Sequence, residues 1–358
     1  MKKKMKSNLK FFKKKKILPV DKFFERVLYN SKFGYYSTHQ PFGAAGDFIT
    51  SPKISSLFSE MIAIWIISTW ELFGKPKSLN IIELGPGDGS LTKILLNSFK
   101  KFPEFNLAKK VYLYEKSNYL RKIQKKNILD QNVKWINNFR SIKKGPVIFF
   151  GNEFFDAVPI KQFKKVNNSF FEKNYKLDKN YKIKEVFKKA SQSNIKILKS
   201  FQTIRKLRFI EFPKFGFDEL KLIIKKISKL KGCILMIDYG YLKPNNQNTL
   251  QSVLNHKKNK LLDNLGKADV TAHVNFKLLE EFFFKNGLKI KKIISQKNFL
   301  KNIGIIDRAN IVSRKMKFSE QSDLFLRIKR LLSPAFMGNL FKVILAYNFK
   351  NDNFLGFE

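Results

Sequence analysis

Hydrophobic positions along the chain follow two different periods. Between Pro19 and Asn30, apolar side chains recur every three or four residues, which is typical of a helix with one buried face. A second helical pattern runs from Ile54 to Phe73 and ends before Gly74. Beyond residue 78, short apolar runs alternate with amphipathic stretches. This alternation predicts a mostly parallel β-sheet built from βαβ units.

The individual elements of this sheet can be placed from the same pattern. We predict strands at Leu79–Leu84, Val111–Glu115, Val133–Ile136, Pro146–Gly151 and Cys233–Asp238. We predict helices at Ser90–Phe102, Ser117–Asn127 and Phe217–Leu230, and a loop over Pro103–Lys110. Turn-punctuated segments between residues 161 and 212 indicate a β-rich insertion. Two late apolar stretches, Lys289–Ser295 and Asn310–Ser313, are predicted to close the sheet as an antiparallel pair.

These elements divide the chain into five regions of an α/β protein with a Rossmann-like, seven-stranded, mostly parallel sheet. We expect a basic disordered tail over residues 1–18 and an N-terminal helical and loop segment that borders the substrate site over 19–77. The first half of the core spans 78–160, and the β-rich insertion, a lid or substrate element, spans 161–216. The second half of the core, with a C-terminal insertion and closing strands, spans 217–358.

The net charge of the chain is large, but charge and composition change the predicted fold and function little. The 358 residues include 71 Lys and Arg against 28 Asp and Glu, a formal net charge of +43. Such an excess is typical of nucleic-acid-binding proteins. Here the basic residues are mostly Lys and run from end to end, beside many Phe, Ile and Asn, which favours a compositional bias with a solvated lysine surface. A nucleic-acid role is disfavoured but stays open.

Several classes of site and location are disfavoured by what the sequence lacks. One cysteine, Cys233, and three scattered histidines form no metal or disulfide pattern, so we expect no metal and a core position for Cys233. The most apolar run, Met61–Trp70, is about half as long as a membrane span requires. Residues 1–16 lack a signal-peptide core. We therefore expect a cytoplasmic protein without a membrane span.

A glycine-rich turn, ELGPGDGS over Glu83–Ser90, follows the first predicted strand. Glycines let the backbone turn sharply and approach a ligand closely. The next helix, with Ser90 as its candidate cap, points its N-terminus into the crevice. The spacing G-x-G-x-G is tighter than the dinucleotide pattern G-x-G-x-x-G, which favours a ligand without pyrophosphate such as S-adenosylmethionine (SAM). Glu83 suits the cationic amino group of its methionine part.

Two further positions at strand ends extend the predicted cofactor site. Glu115 ends the second strand, where a carboxylate can accept hydrogen bonds from ribose hydroxyls. Trp135 lies at the end of the third strand, where either an adenine pocket or core packing explains it. Together with Asn152 after the fourth strand, the predicted cofactor-binding residues are Glu83, Gly85, Pro86, Gly87, Gly89, Glu115, Trp135 and Asn152.

The segment Asn152–Pro159 follows the fourth strand, at the edge of the sheet where open α/β folds bind ligands. Methyl transfer is an in-line displacement in which orientation of the acceptor supplies much of the rate. If the acceptor is a guanidinium, carboxylates can hold it through paired hydrogen bonds. We therefore take Glu153 and Asp156 as candidate catalytic residues, supported by Asp47. His273 is either a base or a packed, hydrogen-bonded residue.

Several segments that occur in order along the chain together resemble the MidA family, whose mitochondrial members are the complex I assembly factor 7 arginine methyltransferases. These segments are Gly46–Pro52, Glu83–Gly89, Asn152–Pro159, Ile237–Tyr241, Thr249–Gln251, Asp269–Phe276 and Met337–Gly338. The resemblance implies a class I SAM-dependent methyltransferase fold with a lid-like insertion. It also implies that Gly85, Gly87 and Glu115 bind SAM, and that Asn152–Pro159 borders the acceptor.

The resemblance also implies a protein substrate, an arginine of the large NADH dehydrogenase subunit, and a role in complex I assembly. Two positions depart from the family: Lys53 stands where a glutamate is usual, and Asn275 stands for a more usual aspartate. The location is then the cytoplasm in a bacterium, or the mitochondrial matrix in a eukaryote. An RNA or DNA amino-methyltransferase and a non-catalytic assembly chaperone stay open as alternatives, as does a homodimer.

Overall fold

The computed structural model describes residues 8–12, 15–39, 41 and 50–357. Asp47, and with it the segment 46–49, lies outside the described residues. The strands are β1 (Ile17–Pro19), β2 (Leu79–Leu84), β3 (Lys109–Tyr114), β4 (Lys134–Ile136), β5 (Val147–Asn152), β6 (Lys161–Val166), β7 (Ser169–Leu177), β8 (Ile183–Lys189), β9 (Phe209–Phe212), β10 (Gly232–Tyr241), β11 (Gln251–Leu254), β12 (Lys257–Asn259), β13 (Asp269–Thr271), β14 (Val274–Asn275), β15 (Lys289–Ile290), β16 (Ile294–Ser295) and β17 (Phe341–Asn348).

Helices surround these strands on several sides. They are α1 (Leu9–Phe12), α2 (Val20–Tyr29), α3 (Tyr35–Thr38), α4 (Ser51–Ile54), α5 (Ser56–Leu72), α6 (Ser90–Phe99), α7 (Pro103–Ala108), α8 (Asn118–Asn127), α9 (Gln192–Ser200), α10 (Lys214–Leu230), α11 (Phe276–Lys285), α12 (Gln296–Ile303), α13 (Ile305–Ser313), α14 (Phe318–Leu332) and α15 (Met337–Leu340). Among the described helices, none is both long and apolar enough to cross a bilayer.

The central sheet has the order β15-β17-β10-β5-β2-β3-β4. Strands β10, β5, β2, β3 and β4 run parallel to one another, and β17 is antiparallel to β10. The short strands β15 and β16 pair with successive parts of β17 and so share the seventh position. The predicted fold class, a mostly parallel seven-stranded α/β sheet, is therefore confirmed.

Both faces of this sheet are buried, which explains the near-continuous apolar runs of its strands. Successive residues enter different cores: Ile81 faces a cluster that includes α5, α6 and α12–α14, whereas Ile82 faces a cluster that includes α10 and α11. Phe217 of α10 and Phe282 of α11 stack with ring centroids 3.9 Å apart. Cys233 is fully buried in the first of these clusters, as predicted.

The insertion forms a second, antiparallel sheet of β6 to β9, and α9 follows β8. This confirms the prediction that the insertion is β-rich. The N-terminus also takes part, since β1 pairs with β7 and aligns Leu18 with Tyr175. Phe11 and Phe12 of α1 are buried against the same region. The prediction of a disordered tail over residues 1–18 is therefore wrong for α1 and β1, because the aromatic side chains of α1 enter a core.

Two other predicted segments differ in the structure. The expected loop over Pro103–Lys110 contains α7, whose first residue is a proline, a favoured starting residue because it lacks an amide that a helix would leave unpaired. Asn310–Ser313 is the end of α13 and not a strand. The antiparallel strand that closes the sheet is β17 at Phe341–Asn348.

Candidate active site

A cavity of about 320 Å³ opens at the carboxyl edge of the parallel strands. Its wall combines the turn after β2, the end of β3, the segment after β5 and the end of β10 with residues of α2, α3 and α10. Six carboxylate residues line it: Glu25, Glu115, Glu153, Asp156, Glu219 and Asp269. One basic residue is among the lining residues, Lys116, and it is ion-paired with Glu219 at 2.8 Å.

The glycine-rich turn forms one side of this cavity. Gly85 and Gly87 both line it and have φ angles of +61° and +57°, in the left-handed region that favours glycine. A Cβ on Gly85 would lie 2.9 Å from Cδ2 of Phe154. The backbone N–H of Ser90 donates to Oδ1 of Asp88 at 3.0 Å, so Asp88, and not Ser90, supplies the side-chain acceptor at the start of α6.

Glu115 lies next to this turn, at the end of β3, and lines the cavity. Its carboxylate accepts hydrogen bonds from the backbone N–H of Ser117 at 2.7 Å and from Nε2 of Gln124 at 3.2 Å. Burial raises the pKa of Glu115, and these hydrogen bonds oppose the rise because they favour the charged form. A carboxylate held in this way keeps acceptor positions for the hydroxyls of a ligand.

The other predicted cofactor residues are not among those that line this cavity. Glu83 is buried below the turn, where its carboxylate accepts a hydrogen bond from Thr92 and burial raises its pKa to about 8. Pro86 and Gly89 belong to the turn but are not among the lining residues. Trp135 donates its indole N–H to Oε1 of Gln124 at 2.9 Å. Their predicted contact with a cofactor stays a prediction.

The segment after β5 holds Glu153 and Asp156, both in the wall of the cavity. Glu153 has φ +51°. Its Oε1 accepts from Nδ2 of Asn152 at 3.1 Å and from the backbone N–H of Ser51 at 3.3 Å. Burial, and then the nearby Asp156, raises the pKa of Glu153 to about 8. Asn152 thus lies behind Glu153 and is not itself a lining residue.

Asp156 is held by groups from β10. The Tyr239 hydroxyl donates to its Oδ2 at 2.6 Å, whereas its buried Oδ1 has no hydrogen-bond partner. Burial raises the pKa of Asp156 to about 6, and the bond from Tyr239 opposes the rise. Asp238 fixes the surrounding backbone, since its Oδ2 accepts from the N–H groups of Phe155 at 2.8 Å and Asp156 at 3.2 Å.

A third wall comes from α2 and α3, outside the methyltransferase-like sheet. Tyr29 and Tyr36 stack with centroids 5.3 Å apart and planes 27° apart. The Tyr29 hydroxyl donates to the carbonyl of Ala157 at 2.9 Å, and the Tyr36 hydroxyl donates to Asp269 at 2.9 Å. Burial raises the pKa of Tyr29, and the charges of Asp269, Asp156 and Glu115 raise it further.

Several of these residues have no role that the sequence patterns predict. Tyr239 and Asp269 lie inside the segments Ile237–Tyr241 and Asp269–Phe276, so a signal for them existed. Gln124 lies in a lysine-rich helix where nothing marks it. His273, a candidate base, lines a separate small pocket with Glu211 and Tyr241, and burial lowers its pKa. Asn275 caps α11 by accepting from the N–H of Leu278 at 3.1 Å, a role that aspartate fills equally well.

With this geometry described, the chain can be compared with known proteins. Residues 61–294 match the model of a family described as "Putative S-adenosyl-L-methionine-dependent methyltransferase". The chain belongs to this family of methyltransferases. SAM is therefore the cofactor of this methyltransferase, and the open backbone at Gly85 and Gly87 and the carboxylate of Glu115 fit it.

Relatives extend over nearly the whole methyltransferase. The zebrafish (Danio rerio) protein arginine methyltransferase NDUFAF7, mitochondrial, is 28% identical over 356 residues, which cover 92% of this chain and 83% of the relative. The Caenorhabditis elegans homologue of that protein is 31% identical over 326 residues, covering 84% and 75%. A Burkholderia thailandensis protein crystallised with S-adenosyl-homocysteine aligns with a TM-score of 0.81 at 23% identity, covering 100% of this chain and 93% of that one, which shows the shared fold.

An ion pair explains the lysine that departs from the family pattern. Nζ of Lys53, in α4, lies 2.5 Å from Oδ2 of Asp88, and the side chains are 33% and 5% exposed. The pair joins the N-terminal segment of the methyltransferase to its glycine-rich turn. A positive charge at position 53 is therefore matched by the acidic residue it meets.

We expect Lys53→Met to lower the free energy of unfolding by about 1–3 kcal/mol, because the buried Asp88 carboxylate would lose its charged partner. Lys53→Arg keeps the charge and should stay within about 0.5 kcal/mol of the wild type. Urea titration followed by circular dichroism measures both. If Lys53→Met is as stable as Lys53→Arg, the ion pair contributes nothing to the fold.

Proposed function

We propose that this methyltransferase transfers the methyl group of SAM to a guanidinium nitrogen of an arginine in a protein substrate. The observation that carries the proposal is the charge of the cavity. Six carboxylate residues line it in a chain of net charge +43, and Lys116 is the one basic residue among the described lining residues. No described basic side chain forms an ion pair with Glu115, Glu153 or Asp156. Such a cavity suits a cationic acceptor.

Two of these carboxylates fit the acceptor chemistry. Because Tyr239 occupies Oδ2 of Asp156, the unpartnered Oδ1 is left to accept a hydrogen bond from a guanidinium N–H. Glu153 lies in the same wall and supplies the second carboxylate of a paired arrangement. The stacked rings of Tyr29 and Tyr36 offer a flat aromatic surface beside the cation.

SAM, when bound, supplies a methyl group on a positively charged sulfur. During transfer a bond forms between the guanidinium nitrogen and the methyl carbon, the bond from sulfur to carbon breaks, and the nitrogen gives up one proton. We assign that proton to Glu153, since its pKa of about 8 makes it an effective proton acceptor near neutral pH. Asp156, with a pKa of about 6, stays charged and orients the acceptor.

The relatives support the same acceptor, because the proteins from zebrafish and C. elegans carry the name protein arginine methyltransferase. A nucleic-acid acceptor is disfavoured, since six carboxylates would repel its phosphates. We extend the proposal to an arginine of the large NADH dehydrogenase subunit and thus to complex I assembly, on the family resemblance described above. The proposed location is the cytoplasm of a bacterium or, in a eukaryote, the mitochondrial matrix that the relatives' names suggest.

Incubation of the purified protein with methyl-labelled SAM and its own cell extract tests the acceptor. We expect label on a protein of the size of the large NADH dehydrogenase subunit, which acid hydrolysis converts to methylated arginine. Parallel reactions with nuclease-treated extract identify nucleic-acid acceptors, and a reaction with the Asp156→Asn variant gives the background. Label that nuclease removes, or label on any residue other than arginine, would overturn the proposal.

The two raised pKa values predict how activity depends on pH. Glu153 and Asp156 need to be ionised to accept hydrogen bonds from a guanidinium, and their pKa values are about 8 and about 6. Arginine itself stays charged throughout this range. We therefore expect kcat/KM for the protein substrate to rise from about pH 6, to reach about half its maximum near pH 8, and to approach a plateau at about pH 9.

Tyr239→Phe provides a control for this profile. It removes the hydrogen bond that lowers the pKa of Asp156, so the acid limb of the profile should move to higher pH. The profile is measured as initial rates at low substrate concentration across pH 5.5 to 9, a range of about three units. A flat profile in the wild type would argue against carboxylates as the acceptor-binding groups.

A further inference from the structure

A buried amide, Gln124 of α8, lies directly behind the cofactor side of the cavity. Its side chain is fully buried, with 0% exposure. Nε2 donates to the carbonyl oxygen of Gly87 at 2.8 Å and to Oε2 of Glu115 at 3.2 Å, and Oε1 accepts from the indole N–H of Trp135 at 2.9 Å. One side chain therefore joins three residues that the sequence places on three different strand ends.

The orientation of this amide is fixed by chemistry as well as by distance. An indole N–H is a donor and never an acceptor, so the amide oxygen of Gln124 has to face Trp135. The two N–H bonds of the amide then face the carbonyl of Gly87 and the carboxylate of Glu115, which can accept them. Both N–H bonds of the amide therefore have an acceptor, and its oxygen has a donor. Both acceptors belong to residues that line the cavity, whereas Gln124 and Trp135 do not line it.

Residues at the end of α8 also contact the glycine-rich turn. Nδ2 of Asn127 donates to the carbonyl of Asp88 at 2.9 Å. A Cβ on Gly89 would lie 2.9 Å from Cδ1 of Ile128 and 3.5 Å from Cα of Gln124. Three successive residues of the glycine-rich turn, Gly87 to Gly89, therefore contact α8 or the residue that follows it. Of the residues that make these contacts, Gln124 also donates a hydrogen bond to the carboxylate of Glu115.

We propose that Gln124 is a positioning residue of the SAM site, which holds the Glu115 carboxylate and the Gly87 peptide in the geometry that binds the cofactor. Trp135 orients the amide of Gln124, and this explains why an indole at the end of β4 matters although it does not line the cavity. The proposal concerns cofactor binding and does not depend on arginine as the acceptor.

Calorimetric titration of the full-length protein with SAM tests this role. Gln124→Met keeps the length and apolar stem of the side chain but removes every hydrogen bond, so we expect the Kd for SAM to rise about tenfold, the equivalent of one charge-assisted hydrogen bond. The matched control is Gln321→Met, because the Gln321 amide also donates to two carbonyl oxygens, those of Ser313 and Met316, and Gln321 does not line the cavity. Its Kd should stay at the wild-type value.

Gln124→Glu adds a signature that a purely structural role would not produce. The new carboxylate can still accept from Trp135, but it would face Glu115 and the carbonyl of Gly87 with negative charge. The ratio of its Kd to the wild-type Kd should therefore grow as pH rises and shrink as pH falls. In turnover assays the KM for SAM should rise in Gln124→Met, while kcat at saturating SAM stays close to the wild-type value.

The possible results distinguish a failure of the role proposed for Gln124 from a failure of the proposed acceptor. A Kd for Gln124→Met within about twofold of the wild type, or a change equal to that of Gln321→Met, would overturn the proposal. If Gln124→Met does not fold, Trp135→Phe removes the orienting N–H alone and is expected to raise the Kd about threefold; an unchanged Kd would again overturn it. A wild type that binds SAM but labels no arginine would overturn the proposed acceptor and leave the role of Gln124 intact.

Discussion

Asp156→Asn is expected to abolish methyl transfer while the protein still binds SAM. The substitution keeps the shape of the side chain but removes the charge, and it places an N–H donor or a neutral oxygen where Oδ1 now has no partner. A guanidinium would then lose the charged acceptor that orients it. We expect kcat/KM for the protein substrate to fall by about 100-fold or more, and the Kd for SAM to change by less than about threefold.

Methyl-label incorporation measures the first effect and calorimetry the second. Asp323→Asn serves as the matched control, because Asp323 is an exposed carboxylate paired with Arg327 on α14, outside the cavity. It should behave as the wild type in both assays. Glu153→Gln is expected to lower activity in the same direction as Asp156→Asn. Full activity in both cavity variants would remove the carboxylates from the mechanism.

Gly87→Val is expected to abolish SAM binding. Gly87 lines the cavity with φ +57°, a conformation that a β-branched residue adopts only under strain, and its new side chain would stand where the backbone meets the cofactor. Its carbonyl is also held by Gln124, so the turn has little freedom to move aside. We expect the Kd for SAM to rise by about 100-fold or more.

Strain at a left-handed glycine could lower stability without any effect on the cofactor, so a second glycine separates the two effects. Gly287 has φ +83°, and a Cβ there would meet nothing within 4 Å. Gly287→Val should therefore lose stability but bind SAM normally. If Gly87→Val binds SAM as tightly as Gly287→Val does, the glycine-rich turn is not the cofactor site.

Local sequence patterns predict much of the fold. The strand β2 begins and ends where the apolar run predicts, at Leu79–Leu84, because all six of its residues are buried and Leu residues stand at both of its ends. The apolar residues that give the first helical pattern are all buried in α2: Val20, Phe23, Phe24, Val27 and Leu28. The glycine-rich turn is also predictable from the sequence, and its three glycines all have positive φ in the structure.

Other features depend on contacts that no local pattern encodes. Tyr36 and Asp269 are 233 positions apart and meet only in the folded chain, where α2, the helix before α3, packs against β13. The sequence pattern predicts a closing strand at Asn310–Ser313, which is a helix end, and not at β17, because a short apolar run has no period that separates a helix end from a strand. The role inferred for Gln124 depends on its hydrogen bonds with Trp135 and Gly87, which lie in other parts of the fold.

The total charge of the chain differs in sign from the charge of the cavity wall. A net charge of +43 suggests an anionic partner, yet the cavity wall carries six carboxylate residues and one lysine. The sum over a sequence weights every exposed lysine equally, whereas binding depends on the few groups that are desolvated together in the site. For this protein the local sign of charge is opposite to the global one, and the local sign is the one that bears on the acceptor.

The aromatic cluster at the N-terminus has a consequence for how the protein is made. Phe11, Phe12 and Phe23 share a core with Tyr175 and Val270, so during translation these three side chains wait for partners more than 150 positions downstream. At ordinary rates of translation this wait lasts on the order of ten seconds or longer. During that time the aromatic face of α2 is exposed to other nascent chains and to chaperones. The cavity wall formed by α2 and α3 is thus synthesised before the strands that it contacts and is completed only after them.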